Sequence, residues 1–192
     1  MKYSLAILFL ILGCAILGSC GEETLPKPKA MLRLTYPVPI YKEANIACPY
    51  VFDKNELAQL VGSKRGKSCE FNLEYPALKA TIYISYRKID GDLKKLLRDA
   101  QNLTQEHVVK ADEIKYEEYI NLEEKVYGMF YKVAGNAASQ SQFYITDSIR
   151  HFITGSIYFN AKPNYDSILP GAHYLRNDMQ HLMETVRWKT TE

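Results

Sequence analysis

Neither sign of charge prevails in this sequence of 192 residues: 24 Lys and Arg stand against 22 Asp and Glu, a formal net of +2. A protein that grips a phosphate backbone needs a basic surplus, so no nucleic-acid partner is expected. Internal repeats are missing, as are a Gly-x-Ser-x-Gly elbow, a His-Glu-x-x-His pair, a phosphate-binding loop and a Rossmann fingerprint. With them go the usual sequence grounds for hydrolase, metalloprotease or nucleotide chemistry, and no cofactor is expected. Histidine is limited to four residues. His107 closes a predicted helix, His151 sits in a predicted strand, and His173 and His181 stand about 12 Å apart along the last predicted helix. No metal site is expected from them. Ser139, Asp147 and His151 can be drawn as a triad, but no oxyanion-forming turn accompanies them. Glu117, Glu118, Glu123 and Glu124 flank a hairpin turn and read as a solvated rim rather than a hydrolytic carboxylate pair. The expectation is a protein that is not an enzyme.

Hydrophobic residues make up 47% of the chain, enough for one domain and too many for a disordered tail. Their distribution is uneven. Lys2 precedes a charge-free run from Tyr3 to Ser19, dense in Leu and Ile. A basic start, an apolar stretch and small residues are the parts of a secretory signal, assigned to residues 1–19. Seventeen uncharged residues only reach the lower end of the roughly 17–25 needed to span a bilayer; an uncleaved anchor is the alternative. Leu17-Gly18-Ser19-Cys20 resembles a bacterial lipobox, in which the Cys thiol takes up a diacylglycerol and becomes the new N-terminus. Ile11-Leu12-Gly13-Cys14 is a weaker copy, with a large Leu where a small residue is preferred. Cys20 is therefore the expected lipid anchor, joining the domain to a membrane. Residues 20–29 carry Pro26 and Pro28 and read as an extended tether, at roughly 3 Å per residue. Cys48 and Cys69 remain. In an oxidising compartment they are expected to form a disulfide, with buried free thiols as the alternative.

Residues 30–192 form the expected domain, α+β in class, with a mainly antiparallel sheet flanked by two helices. The 15 tyrosines suit half-buried sheet faces. Strands are predicted at Met31–Tyr36, from Phe71, and at Thr81–Tyr86, where Ile82 and Ile84 share a face. The stretch Val38–Gly66 is irregular, with a short helix near Glu56–Val61 and a basic loop at Gly62–Lys67. Leu93, Leu96, Leu97, Ala100 and Leu103 follow helical spacing; Asp90 or Asp92 caps this helix, which ends near His107. Two hairpins follow, Glu113–Ile120 with Lys125–Val133, and Phe143–Thr146 with His151–Asn160. Between them, Gly135, Asn136, Ala137, Ala138 and Ser139 form a loop of small residues that reads either as an interaction surface or as a tight connection. Asp166 or Ser167 caps a last helix with the stripe Leu175, Met179, Leu182, Met183 and Val186, and Trp188 lies just beyond.

Several blocks, in order, resemble the gliding motility lipoprotein family GldD of the Bacteroidetes. They are Cys48-Pro49-Tyr50, Lys110-Ala111-Asp112, Val126-Tyr127-Gly128, Gly135–Ser139 with Phe143-Tyr144-x-Thr146-Asp147-Ser148, Tyr158-Phe159-Asn160, and His181–Thr185 with Trp188. The resemblance implies an envelope lipoprotein needed for gliding and type IX protein secretion, with Cys20 acylated and no assigned catalytic residues. Its implied partners are other envelope proteins of those machineries. Gly21 is not the Asp that holds lipoproteins in the inner membrane. The expected location is thus the outer membrane facing the periplasm, and Glu22-Glu23 leave the cell surface as the alternative. The element order is also similar to the PsbP/Mog1 α/β/α sandwich, an analogy of architecture alone. Asp147-Ser148-Ile149 and Asp166-Ser167-Ile168 resemble the O-glycosylation sequon of this phylum, which makes Ser148 and Ser167 candidate modification positions; a hairpin turn and a helix start also favour Asp-Ser. Two rival functions stay open: a ligand-binding lipoprotein with a pocket between sheet and helix, and an envelope hydrolase.

Overall fold

The computed structural model of the chain describes residues 35–62, 69–105, 111–160 and 165–189. The chain divides into two units, Met1–Ala30 and Met31–Glu192, and every described residue belongs to the second. The signal, Cys20 and the tether therefore lie outside the described residues, as do most of the predicted strand Met31–Tyr36, nearly all of the basic loop Gly62–Lys67, and His107. Thr35 and Tyr36 belong to neither strand nor helix.

Four short strands open the domain: β1 (Tyr41–Glu43), β2 (Tyr50–Val51), β3 (Asp53–Asn55) and β4 (Gln59–Gly62). The short helix expected near Glu56–Val61 is not there. The Asn55 side chain accepts the Leu57 N–H at 3.0 Å and its carbonyl accepts the Ala58 N–H at 3.0 Å. This turn delivers Gln59 into pairing with Glu74, so local helix preference yields to sheet formation.

The main sheet is built from β4, β5 (Phe71–Tyr75), β6 (Ala80–Lys88), β7 (Ala111–Asn121), β8 (Val126–Gly135), β9 (Ser139–Thr146) and β10 (His151–Phe159). Its order is β4-β5-β6-β10-β9-β8-β7, and every pairing is antiparallel. The helix α1 (Leu93–Gln105) carries the chain from the centre of the sheet to its far edge, and β7 to β10 return strand by strand until β10 meets β6. The second helix, α2 (Tyr165–Glu184), leads to β11 (Arg187–Trp188), which pairs with β2.

Each helix covers a different face. Ile82 and Ile84 on β6, Ile153 and Ile157 on β10, Phe143 and Ile145 on β9 and Phe130 on β8 share one core with Leu175, Met179, Leu182 and Met183 of α2. Each such fully buried side chain contributes roughly 1.5–3 kcal/mol. On the opposite face Ile89, Tyr144 and Phe152 pack against Leu93, Leu96, Leu97 and Ala100 of α1. The α1 residues remain half-buried, so this helix lies on the sheet without being sunk into it. The class is the α+β arrangement expected, with an antiparallel sheet between two helices.

Helix starts differ from expectation in detail. Lys95 and Leu96 donate to the Asp92 backbone carbonyl, at 2.8 and 3.0 Å, while the Asp92 carboxylate accepts the Asp90 N–H. Asp166 and Ser167 lie within the first turn of α2, after Tyr165. Val186 is buried past the helix end, because Thr185 turns the chain with its hydroxyl bonded to the His181 carbonyl at 2.9 Å.

Candidate functional site

Three polar or exposed regions emerge from this frame. The first lies under α2. Asp178 is almost fully buried, and its carboxylate accepts hydrogen bonds from Tyr41 Oη (2.7 Å), Asn55 Nδ2 (2.8 Å) and Tyr75 Oη (3.1 Å). Burial, followed by the hydrogen bond and charge of Asp178, pushes Tyr41 far above the usual phenol range; for Tyr75 burial again leads. Both phenols stay protonated donors. His181 stacks on Tyr41 with ring centres 3.6 Å apart. This cluster ties β1, β3 and β5 to the helix; three donors satisfy the Asp178 carboxylate, while His181 Nε2 is buried with Asp53 Oδ2 3.9 Å away, beyond hydrogen-bond reach.

The second region is the edge of the sheet. Strand β7 pairs with β8 along its length, and its other backbone edge meets no strand among the described residues. Tyr116, Ile120 and Leu122 in the following turn are 70%, 63% and 75% exposed. Acidic side chains dominate around them, with Lys132 held by Glu117 at 2.5 Å and Lys115 near Glu113 at 3.3 Å.

The third region is a groove of about 1170 Å³ on the α1 face, over the half of the sheet that α1 leaves open. Cross-strand register sets Asn72, Tyr83 and Ser156 in one row of its floor and Glu74, Thr81 and Tyr158 in the next. Leu103 of α1 forms part of one wall. Between α1 and the sheet itself the space is only about 10 Å³. At α1, the pocket that the rival ligand-binding reading places between sheet and helix finds no more room than this among the described residues.

The residues singled out in the sequence scatter over this frame. Cys48 and Cys69 form a disulfide with Cα atoms 5.6 Å apart, joining the start of β2 to the start of β5. In the loop from Gly135 to Ser139, Gly135 ends β8, Ser139 starts β9, and Gly135, Ala137 and Ser139 are buried. Gln140 Nε2 donates to the carbonyls of Ala137 (2.9 Å) and Gly135 (3.3 Å), so only Asn136 and Ala138 face solvent. Gly135 has φ +98°, and a Cβ there would lie 2.6 Å from the Asp112 amide nitrogen where β7 bulges. The drawn triad does not assemble. Ser139 lies at the opposite end of β9 from Asp147 and donates to Ser141 O at 3.1 Å. Asp147 Oδ1 receives the N–H groups of Ile149, Arg150 and His151, shaping the turn. The His151 Nδ1 shares a 2.9 Å hydrogen bond with Tyr86 Oη, and its ring stacks on Trp188 at 5.0 Å. Among the described residues no group of three or more His, Cys, Asp or Glu side chains is arranged to hold a metal ion. Ser148 and Ser167 are both exposed, one in the turn and one in the first helical turn.

Compared with known protein families, residues 21–188 match the family described as gliding motility lipoprotein GldD. The chain belongs to that family. Among curated proteins, none matches it. Membership in the GldD family implies a lipid-anchored protein of the cell envelope with a part in gliding motility. The GldD-like blocks fall on seams of the fold. Tyr50 is buried and donates to Cys69 O at 3.1 Å; Trp188 Nε1 donates to Lys125 O at 3.1 Å; the Thr185 hydroxyl accepts the Asp53 N–H at 3.0 Å. At Gly128 a Cβ would collide with the Tyr144 carbonyl of the neighbouring strand. Sequence reasoning missed Asp178, although a signal was present: an acid placed between Leu175 and Met179 in an otherwise apolar helical stripe.

Proposed function

We propose that the chain is a non-enzymatic, membrane-tethered component that supports gliding motility and type IX protein secretion by docking other envelope proteins. Lipid on Cys20 confines the domain to a membrane surface and raises its effective concentration for partners held there. The outer membrane, with the domain in the periplasm, is the location this reading takes, and the cell surface is its alternative.

The observation that carries the proposal is the β7 edge. Along the eleven residues of β7, alternate residues present backbone groups that no strand among the described residues pairs, next to exposed Tyr116 and Ile120, the arrangement by which an extended partner segment adds a strand. The acidic side chains along it oppose pairing with a second copy and favour a basic segment. The dispersal of Ser139, Asp147 and His151 supports the non-enzymatic part.

The test is affinity purification of C-terminally tagged protein from native membranes after mild crosslinking, with mass spectrometry. Wild type is expected to recover gliding or secretion components. A Cys20→Ala protein and a Tyr116→Lys, Ile120→Lys protein at equal abundance are expected to lose them. Equal recovery by both variants would refute tethered docking through this edge.

A further inference from the structure

The floor of the groove on the α1 face is built mainly from hydroxyl and amide side chains with two tyrosines. Besides the two rows already described, Ser85 lies opposite Thr154 in a third. An interface core is enriched in Met and Arg as well as aromatic side chains and depleted in Ser and Glu, and a nucleic-acid surface would concentrate Lys and Arg, whereas among the described residues neither Met nor Arg lines this groove. Here the floor carries hydroxyls, an amide, one carboxylate and two phenols, and the charge of Glu74 is offset by Lys79 at the rim.

We propose that this groove binds a segment of a neutral glycan chain. Sugar rings present hydroxyls that both donate and accept, together with C–H faces that pack on aromatic rings. Ser, Thr and Asn side chains donate and accept in the same way, and Glu74 accepts from paired hydroxyls. Tyr83 and Tyr158 meet edge to face, with ring centres 5.6 Å apart and planes 77° apart. Tyr83 is 44% exposed on the sheet face and offers both ring and phenol to a ligand. The groove is open and larger than the roughly 300–1,000 Å³ typical of sites that enclose a small molecule. It therefore suits a chain lying across the strands. Among the described residues its walls carry no net charge, which matches an uncharged polymer and disfavours an anionic one. This site is on a different surface from the β7 edge, and each can fail without the other.

The experiment is isothermal titration of the full chain, purified in detergent, with chitotetraose, cellotetraose and maltotetraose, and with a sulfated heparin tetrasaccharide as the charged control. At least one neutral tetrasaccharide is expected to bind. Tyr83→Ala is expected to weaken that binding about tenfold, or about 1.4 kcal/mol, without lowering the melting temperature. Glu74→Gln, which keeps the groove's shape, is expected to weaken it severalfold. The proposal is overturned if none of the three neutral sugars binds, if binding survives both substitutions unchanged, or if the sulfated sugar binds as tightly as the neutral ones.

Discussion

At Asp178 the hydrogen bonds of three side chains from three different strands meet on one carboxylate. Replacing it by Ala removes the acceptor of half-buried Tyr41 and buried Tyr75, whereas Asn55 keeps its hydrogen bond to Tyr174 Oη at 3.0 Å, and each buried unsatisfied donor costs about 1–3 kcal/mol. We expect Asp178→Ala to lower the unfolding free energy by about 3 kcal/mol. Asp178→Asn, which keeps one acceptor, is expected to lose less; urea titration of both against wild type checks this. A second residue-scale effect concerns acid. Burial lowers the pKa of His151 below its ordinary 6.5; Asp147 opposes this and Arg150 and Lys88 add to it. The unfolded chain then binds the proton more readily, so this contribution to stability is whole above pH about 6.5 and is lost as pH falls below it. For Asp147, burial raises the pKa, but the backbone N–H groups of His151, Arg150 and Ile149 outweigh it and hold the carboxyl below 3.8. Its contribution is present above that value and lost below it. His173 is also lowered, by burial and then Arg176. The readout for His151 is accordingly the difference between wild type and His151→Gln. Melting temperatures between about pH 7 and pH 5 should fall less steeply in the variant, and parallel curves would contradict the assignment.

Among the elements, the segment from β2 to β5 depends most on a covalent tie. The Cys48–Cys69 bridge closes a loop across 21 positions that contains three of the shortest strands in the domain. Such a closure typically contributes about 3 kcal/mol, largely by restricting the unfolded chain. A Cys48→Ser, Cys69→Ser protein is expected to unfold at lower denaturant by that amount, and reductant should bring wild type to the same midpoint. An unchanged midpoint would show that the short strands hold without it. The longer elements announced themselves in the sequence through periodicity. Ile82 and Ile84 alternate, and the stripe on α2 repeats at helical spacing. The short ones did not. Strands such as Tyr50–Val51 or Gln59–Gly62 span too few residues to show any period, and they exist only because β11 and β5 pair with them. The turn after Asn55 shows the same limit, since its helix-like composition is overruled by a partner strand.

For the whole molecule, the class was legible, whereas the surfaces were not. No local pattern tells that Asn72, Tyr83 and Ser156 share a row, because that row exists only when β5, β6 and β10 lie side by side. The exposed β7 edge was equally hidden: its strand could be read, but its place at the end of the sheet follows from where α1 carries the chain. The same crossover bears on how the protein is made. Lys88 on β6 waits for His151, and Ala80 waits for Phe159, while β7, β8 and β9 lie between them in the chain. A sheet whose central seam joins such distant segments folds slowly, because loop-closure entropy must be overcome before the seam yields any contacts. A polypeptide entering the envelope N-terminus first would carry β4, β5 and β6 with an open, apolar edge until β10 has emerged. During that interval it is exposed to aggregation. The domain therefore calls for an escort during biogenesis, even though its finished core is well packed.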